Sequence, residues 1–122
     1  MYELLVQSEF AAAHYLREYE GKCENLHGHN WKIEVALRST SVDRAGMVID
    51  FKHARAIIAS VLEAYDHRYL NDVGDFKDVN PTTENISRIL YKAIGERLPE
   101  GVKVAKVTCW ESDHCGSSYF EE

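Results

Sequence analysis

Regular alternation of apolar and polar residues constrains the fold of this chain more than any other feature of its sequence. Between residues 30 and 38, side chains of the two kinds take turns, and the apolar ones are Trp31, Ile33, Val35 and Leu37. A period of two predicts a β-strand with one face buried. A second alternating segment, Tyr2 to Phe10, predicts an earlier strand, with His14 just past its end.

Two later segments repeat their apolar residues every three or four positions, which predicts helices. The first runs from residue 51 to residue 65, with Asp50 as a plausible N-cap. The second begins near residue 80, where Pro81 suits the first turn and Asn80 or a threonine can cap. Residues 98–101 end it, and residues 102–111 and 116–120 predict two further strands.

The predicted order is ββααββ, with no repeat and no linker long enough to separate domains. It predicts an α+β fold for a single domain, residues 1–122, in which two helices cover one face of an antiparallel sheet. Four strands and two helices make a thin core. Association with other copies through the sheet edges would enlarge the core and protect the edges.

Composition excludes several classes of function. A net charge of −6 and a pI near 5.5 argue against a nucleic-acid binder, which usually needs a basic face. Three cysteines, an odd number without a repeated spacing, favour a reducing compartment. The N-terminus lacks a signal-peptide pattern, and no apolar segment approaches the roughly 20 residues that span a bilayer. We therefore expect a cytoplasmic protein without membrane association.

The segment Cys-x3-His-Gly-His, residues 23–29, carries the strongest chemical signal. His27 and His29 are two residues apart, so on a strand both side chains project to one face, close enough to hold a zinc ion. His14, at the end of the neighbouring strand, is a candidate third ligand. From the residues alone three interpretations stay open: a structural zinc site that includes Cys23, a catalytic zinc site with Cys23 free to react, or packing without metal.

Two acidic residues further along the chain are weaker candidates. Asp66 could orient the adjacent imidazole of His67 for proton transfer, but only if the first helix ends irregularly there, because adjacent residues on a regular helix do not face each other. Otherwise both are exposed polar residues at a helix end. Glu111 is either a surface charge at a strand end or a sheltered carboxylate. We interpret Cys109 and Cys115 as structural.

Taken together, the ordered motifs resemble the 6-pyruvoyltetrahydropterin synthase family. They are His14 after a first strand, Cys-x3-His-Gly-His at 23–29, Asp66-His67, Asn-Pro-Thr-Thr-Glu-Asn at 80–85 and Trp110-Glu111. The resemblance covers essentially the whole chain and is strongest for the 6-carboxytetrahydropterin synthase branch. It implies a tunnelling fold, in which the sheets of several subunits join into a barrel with pterin sites at subunit interfaces. A trimer-based homo-oligomer, such as a hexamer, is expected.

The resemblance also implies roles for individual residues. His14, His27 and His29 would hold Zn²⁺, and Cys23 would be the catalytic base. Asp66 and His67 would relay protons. Glu111 would take part in catalysis and anchor the pterin ring, and Thr82 and Thr83 would lie near that ring.

The implied substrate is a small molecule, 7,8-dihydroneopterin triphosphate. Its conversion to 6-carboxy-5,6,7,8-tetrahydropterin, with release of acetaldehyde and triphosphate, would supply the synthesis of queuosine and related 7-deazapurines. A 6-pyruvoyltetrahydropterin synthase or another pterin side-chain lyase is an alternative, as is a non-catalytic zinc or pterin-binding module in which Cys23 closes the metal site. Arg17, Lys22, Lys32 and Arg68 are candidate triphosphate ligands, although the sequence favours a solvated surface charge for each of them.

Overall fold

The architecture is a five-stranded sheet with two helices packed on one of its faces. The computed structural model describes residues 1–20 and 25–122. In chain order the elements are β1 (Tyr2–His14), β2 (His27–Ser39), α1 (Phe51–Leu62), β3 (Arg68–Tyr69), α2 (Thr83–Gly95), β4 (Lys103–Trp110) and β5 (Gly116–Tyr119). The strand order across the sheet is β3-β1-β2-β4-β5. The predicted α+β class is confirmed.

Strands β1 and β2 form the centre of the sheet and pair in antiparallel register over 13 residues, from Tyr2 opposite Ser39 to His14 opposite His27. The predicted alternation on β2 is confirmed, because its four apolar side chains are fully buried. They pack with inward-facing residues of β1 and β4 and with the apolar stripes of both helices in one hydrophobic core. The opposite face of β1 and β2 carries mostly exposed or partly exposed side chains.

Four details of the prediction need correction. β1 continues to His14 rather than ending at Phe10, because the three alanines between them carry no clear polarity signal. α1 ends at Leu62, three residues early, and Tyr65 is buried from a turn instead. Pro81 lies before α2 rather than in its first turn, whereas the expected threonine cap is confirmed, since Thr82 is the N-cap.

The fourth correction is an additional strand. β3 pairs in parallel with β1, Ala12 opposite Arg68, and lengthens the predicted ββααββ order. Two residues are too few to produce a periodic signal. Neither helix has the length and hydrophobicity needed to cross a membrane, in the part of the chain that the structure describes.

Candidate metal centre and active site

Three histidines meet where the β1–β2 pair ends. His14 lies directly opposite His27, and Ala12 lies opposite His29, so the pairing places all three imidazoles on one face. That face is the buried one: the rings of His14 and His29 contact the Trp31 ring edge-to-face, at centroid distances of 4.8 and 5.2 Å. The expectation that both histidines of β2 project to one face is therefore confirmed.

Hydrogen bonds fix the orientation of two of these rings. Nδ1 of His14 lies 2.8 Å from the carbonyl oxygen of Pro81, and Nδ1 of His27 lies 2.8 Å from that of Asn25. A carbonyl oxygen can only accept, so each Nδ1 carries the proton and each Nε2 presents a lone pair. The two Nε2 atoms are 3.1 Å apart. Two lone pairs at this distance repel each other unless a proton or a metal ion lies between them, and a metal site meets that requirement.

The carboxylate of Glu111, just after β4, completes the cluster. Its Oε1 lies 3.0 Å from Nε2 of His29, 3.3 Å from that of His14 and 4.0 Å from that of His27. A ligand atom from each of the four residues lies within 4.8 Å of the other three. Sequence reasoning missed this, because no local signal shows that Glu111 is brought against the histidines. Knowledge of the β2–β4 register, with Trp110 opposite Lys32, would have revealed it.

Burial and donor chemistry both suit a divalent metal ion. The side chain of His14 is 3% exposed, whereas those of His27 and Glu111 are each 37% exposed, so the cluster is closed on the β1 side and accessible from the other. Imidazole nitrogen with carboxylate oxygen is a ligand set typical of zinc. The carbonyls of Pro81 and Asn25 supply the outer hydrogen bonds that histidine ligands usually have.

Asp66 and His67 lie in the turn after α1, as the irregular helix end required. Nδ1 of His67 is 3.0 Å from Oδ2 of Asp66, and His67 has a left-handed backbone with φ of 58°. Both are tied to β1: the Ala11 N–H donates to Oδ1 of Asp66 at 2.9 Å, and the His67 N–H donates to the Ala11 carbonyl. The pKa of Asp66 is lowered, mainly by the hydrogen bond from the Ala11 N–H and further by the hydrogen bond with the His67 ring. Partial desolvation of the carboxylate opposes this shift.

The Asp66-His67 pair does not join the histidine cluster of its own chain. It lies where β3 borders β1, whereas the cluster spans the ends of β1, β2 and β4. The His67 side chain is 82% exposed and points away from the core of this chain. The pair is therefore free to face another molecule.

The two threonines stand at the start of α2, next to the residue that holds His14. Thr82 accepts the Asn85 N–H at 3.1 Å, and Thr83 accepts a hydrogen bond from Ser117 at 2.8 Å. Their side chains are partly exposed. The two threonines directly follow Pro81, whose carbonyl bonds the ring of His14. Both of their hydroxyls make hydrogen bonds within the local fold.

Two asparagines hold the segment after β1: Asn71, which no sequence pattern singled out, and Asn80, which the sequence offered only as a helix cap. The side-chain amide of Asn71 pairs with both the N–H and the carbonyl of Tyr15, at 3.0 and 2.9 Å. Asn80 does the same for Arg17, at 2.8 and 2.9 Å. Each amide replaces a missing strand neighbour, and together they fix the chain as it leaves His14. Both lie in a polar loop, and the composition of that loop does not indicate which side chains bond to the segment after β1.

Arg17, a candidate triphosphate ligand, has a different role. Its guanidinium donates to the main-chain carbonyls of Asn71, Phe76 and Val79, at distances from 2.7 to 3.2 Å. These bonds occupy the side chain in stabilising the loop before α2. Lys32 and Arg68 are exposed on β2 and β3.

Of the predicted cysteine roles, only those of Cys109 and Cys115 fall within the described residues. Cys109 is fully buried, and desolvation, followed by the negative charges of Glu111 and Glu84, raises its thiol pKa to about 12. Cys115 is exposed. Cys23, the predicted base, and Lys22 lie outside the described residues.

Comparisons with known proteins agree with this architecture. The family model for 6-pyruvoyl tetrahydropterin synthase matches residues 3–122. The solved 6-pyruvoyl tetrahydropterin synthase of Caenorhabditis elegans superposes with a TM-score of 0.85 at 30% identity, over 99% of this chain and 96% of that one. The fold is thus the tunnelling fold, and the resemblance inferred from the motifs is confirmed.

Two curated relatives are similarly close in sequence. The 6-carboxy-5,6,7,8-tetrahydropterin synthase of Aquifex aeolicus is 33% identical over 125 positions, covering 83% of this chain and 77% of that protein. The dihydroneopterin monophosphate aldolase of Pyrococcus furiosus is 34% identical over 113 positions, covering 93% and 92%. This chain belongs to the 6-pyruvoyl tetrahydropterin synthase family.

Proposed function

We propose that this protein is a zinc-dependent 6-carboxy-5,6,7,8-tetrahydropterin synthase. It takes 7,8-dihydroneopterin triphosphate and water to the carboxylated tetrahydropterin, acetaldehyde and triphosphate. The relative from Aquifex aeolicus and one from Rickettsia bellii, 30% identical over 88% of this chain, carry this name. The observation on which the proposal depends is the convergence of the Nε2 atoms of His14, His27 and His29.

In this proposal the three histidines hold Zn²⁺ through Nε2, and the Pro81 and Asn25 carbonyls set the orientation of His14 and His27. Bound there, the metal supplies Lewis acidity, which stabilises negative charge developing on the substrate side chain. The chain provides the rest of the machinery: the Trp31 ring and the buried end of β1 exclude water from one side of the cluster.

Proton transfer is assigned to Cys23 and to the Asp66-His67 pair. A thiolate near a divalent cation is favoured over the thiol, so Cys23 can remove a carbon-bound proton. Asp66 remains ionised at neutral pH, since its pKa is lowered, and it holds the His67 ring through Nδ1. His67 can then return protons through Nε2.

The pterin ring is assigned to Glu111, with Thr82 and Thr83 beside it. The donor edge of an aminopyrimidinone matches a carboxylate, which only accepts hydrogen bonds. Glu111 is partly exposed at the open side of the cluster, where a ring could approach it.

The exposed position of His67 supports a site shared between subunits of a trimer-based homo-oligomer, for example a hexamer. One subunit would supply the metal cluster and Cys23, and its neighbour would supply Asp66 and His67. In the same proposal the protein works in the cytoplasm, and its product enters queuosine synthesis.

Product analysis tests this assignment. Purified protein with Zn²⁺ is incubated with 7,8-dihydroneopterin triphosphate, and the products are identified by mass, with acetaldehyde measured separately. Carboxytetrahydropterin and acetaldehyde in equal amounts are expected. A pyruvoyl product without acetaldehyde would contradict the assignment.

A second candidate has specific support from the aldolase relative, whose alignment covers more than nine tenths of both chains. Cleavage between the first two side-chain carbons of a dihydroneopterin phosphate would release a hydroxymethyl pterin and a phosphorylated two-carbon aldehyde. The same incubation, repeated with the monophosphate, separates the candidates by mass. A non-catalytic zinc or pterin-binding module would yield no product from either substrate.

A further inference from the structure

The spacing of the Glu111 carboxylate matches a metal ligand more closely than a neighbour of the metal site. A tetrahedral shell with bonds of about 2.0–2.1 Å has ligand atoms about 3.3–3.4 Å apart. The distances from Oε1 of Glu111 to the three Nε2 atoms are 3.0, 3.3 and 4.0 Å. Nε2 of His14 and Nε2 of His27 are 3.1 Å apart. These four edges surround one metal-sized space.

A simple ion pair explains this arrangement less well. An ion pair between Glu111 and one histidine needs one short contact, whereas a single carboxylate oxygen here faces three rings at once. Two of those rings commit their Nδ1 hydrogens to main-chain carbonyls, so their Nε2 atoms present lone pairs toward the same centre. One cation satisfies all four groups together.

Resting on the proposed function, we propose that Glu111 is the fourth metal ligand while no pterin is bound. The donor edge of the pterin ring binds the same carboxylate, so Glu111 leaves the metal when the ring binds. The coordination position that the chemistry requires therefore becomes available only when a pterin is present. Substrate recognition and activation of the metal centre are thus coupled through one side chain.

The ligand assignment is tested with metal alone. Metal-free wild-type protein, Glu111→Gln and the control Asp113→Asn are titrated with Zn²⁺ against a chelator, and their Co²⁺ forms are compared by visible absorption. Asp113 is an exposed carboxylate two residues away, so the control makes the same chemical change outside the cluster. Circular dichroism confirms that each variant is folded.

Loss of a ligand should weaken Zn²⁺ binding of Glu111→Gln at least about tenfold, since even outer hydrogen-bond partners contribute that much. Its Co²⁺ spectrum should also change, while Asp113→Asn matches wild type in both measurements. Unchanged affinity would overturn the assignment. Weaker affinity with an unchanged Co²⁺ spectrum would overturn it too, because the carboxylate would then act from outside the coordination shell.

Exchange of the ligand is tested by adding unsubstituted pterin, which has no side chain to reach the metal, to the wild-type Co²⁺ form. The spectrum should shift toward that of Glu111→Gln as pterin binds. Pterin binding without a spectral change would overturn the exchange. If pterin does not bind although the metal titrations give the expected result, pterin anchoring in the proposed function fails and Glu111 remains a ligand.

Discussion

The ring of His14 donates a hydrogen bond from Nδ1 to the main-chain carbonyl of Pro81, 2.8 Å away. This bond joins the end of β1 to the residue just before the N-cap of α2, two elements separated by more than 60 residues of sequence. It fixes the ring so that Nε2 faces the other histidines. The position of one metal ligand thus depends on the loop that precedes α2.

The first prediction concerns Asn80, the residue before Pro81. In Asn80→Ala the N–H and carbonyl of Arg17 lose their side-chain partners, so we expect a loss of about 1–3 kcal/mol in the free energy of unfolding. Zn²⁺ affinity should fall as well, because the Pro81 carbonyl is no longer held against His14. Thermal unfolding and chelator competition measure the two effects.

Asp78→Ala, in an exposed position of the same loop, is the control and should change neither the free energy of unfolding nor the Zn²⁺ affinity. Wild-type metal affinity in a destabilised Asn80→Ala protein would show that the loop does not position His14.

The second prediction separates a catalytic thiol from a structural ligand. Cys23→Ala should keep about one Zn²⁺ per chain and its fold but lose turnover, because the histidine cluster with Glu111 supplies four ligand atoms without it. Metal analysis, circular dichroism and product formation are measured on one preparation. Cys115→Ala, which removes an exposed thiol, should behave as wild type. A metal-free Cys23→Ala protein would favour the closed, non-catalytic zinc site.

The third prediction tests whether active sites are shared between subunits. Cys23→Ala and His67→Ala should each be nearly inactive, but unfolding and refolding them together should restore activity. With equal amounts and random assembly, roughly a quarter of the sites would receive Cys23 from one subunit and His67 from another. Differently tagged subunits that copurify demonstrate mixed oligomers. If such oligomers form and stay as inactive as the single variants, each site belongs to one chain.

The fourth prediction uses the raised pKa of Cys109. With a thiol pKa near 12, almost no reactive thiolate exists at pH 8, and the side chain is fully buried. In a Cys23→Ala/Cys115→Ser protein, a thiol reagent should therefore label Cys109 only as fast as the protein unfolds. A Cys23→Ala/Cys109→Ala protein should be labelled at Cys115 at once. Rapid labelling of Cys109 in the folded protein would contradict its structural role.

Sequence reasoning succeeded where the signal is local. The alternation through Trp31 fixes which face of β2 is buried, and the two-residue spacing of His27 and His29 then places both rings on that face. Asp50 was recognisable as an N-cap because it directly precedes the periodic segment, and its carboxylate accepts a hydrogen bond from the Lys52 main-chain N–H, two residues ahead. Each of these inferences needs only neighbouring residues.

What could not be predicted depends on long-range pairing. The contact between Glu111 and the histidines follows from the register of β2 with β4, which no property of residues 103–111 encodes by itself. The bonds that Asn71 and Asn80 make to the chain after β1 span more than 50 residues. The sequence of a polar loop does not show whether its side chains face water or bond to a distant segment.

The three-histidine cluster is the centre of this account, and metal-dependent turnover tests it most directly. Metal-free wild-type protein is titrated with Zn²⁺, and bound metal and product formation are measured in the same samples, alongside His29→Ala. Activity should rise in proportion to bound Zn²⁺ and level off at about one ion per chain, while His29→Ala binds metal much more weakly and stays inactive at the same Zn²⁺ concentrations. Full turnover by metal-free wild-type protein, or wild-type metal affinity in His29→Ala, would contradict the assignment of His14, His27 and His29 as the metal site.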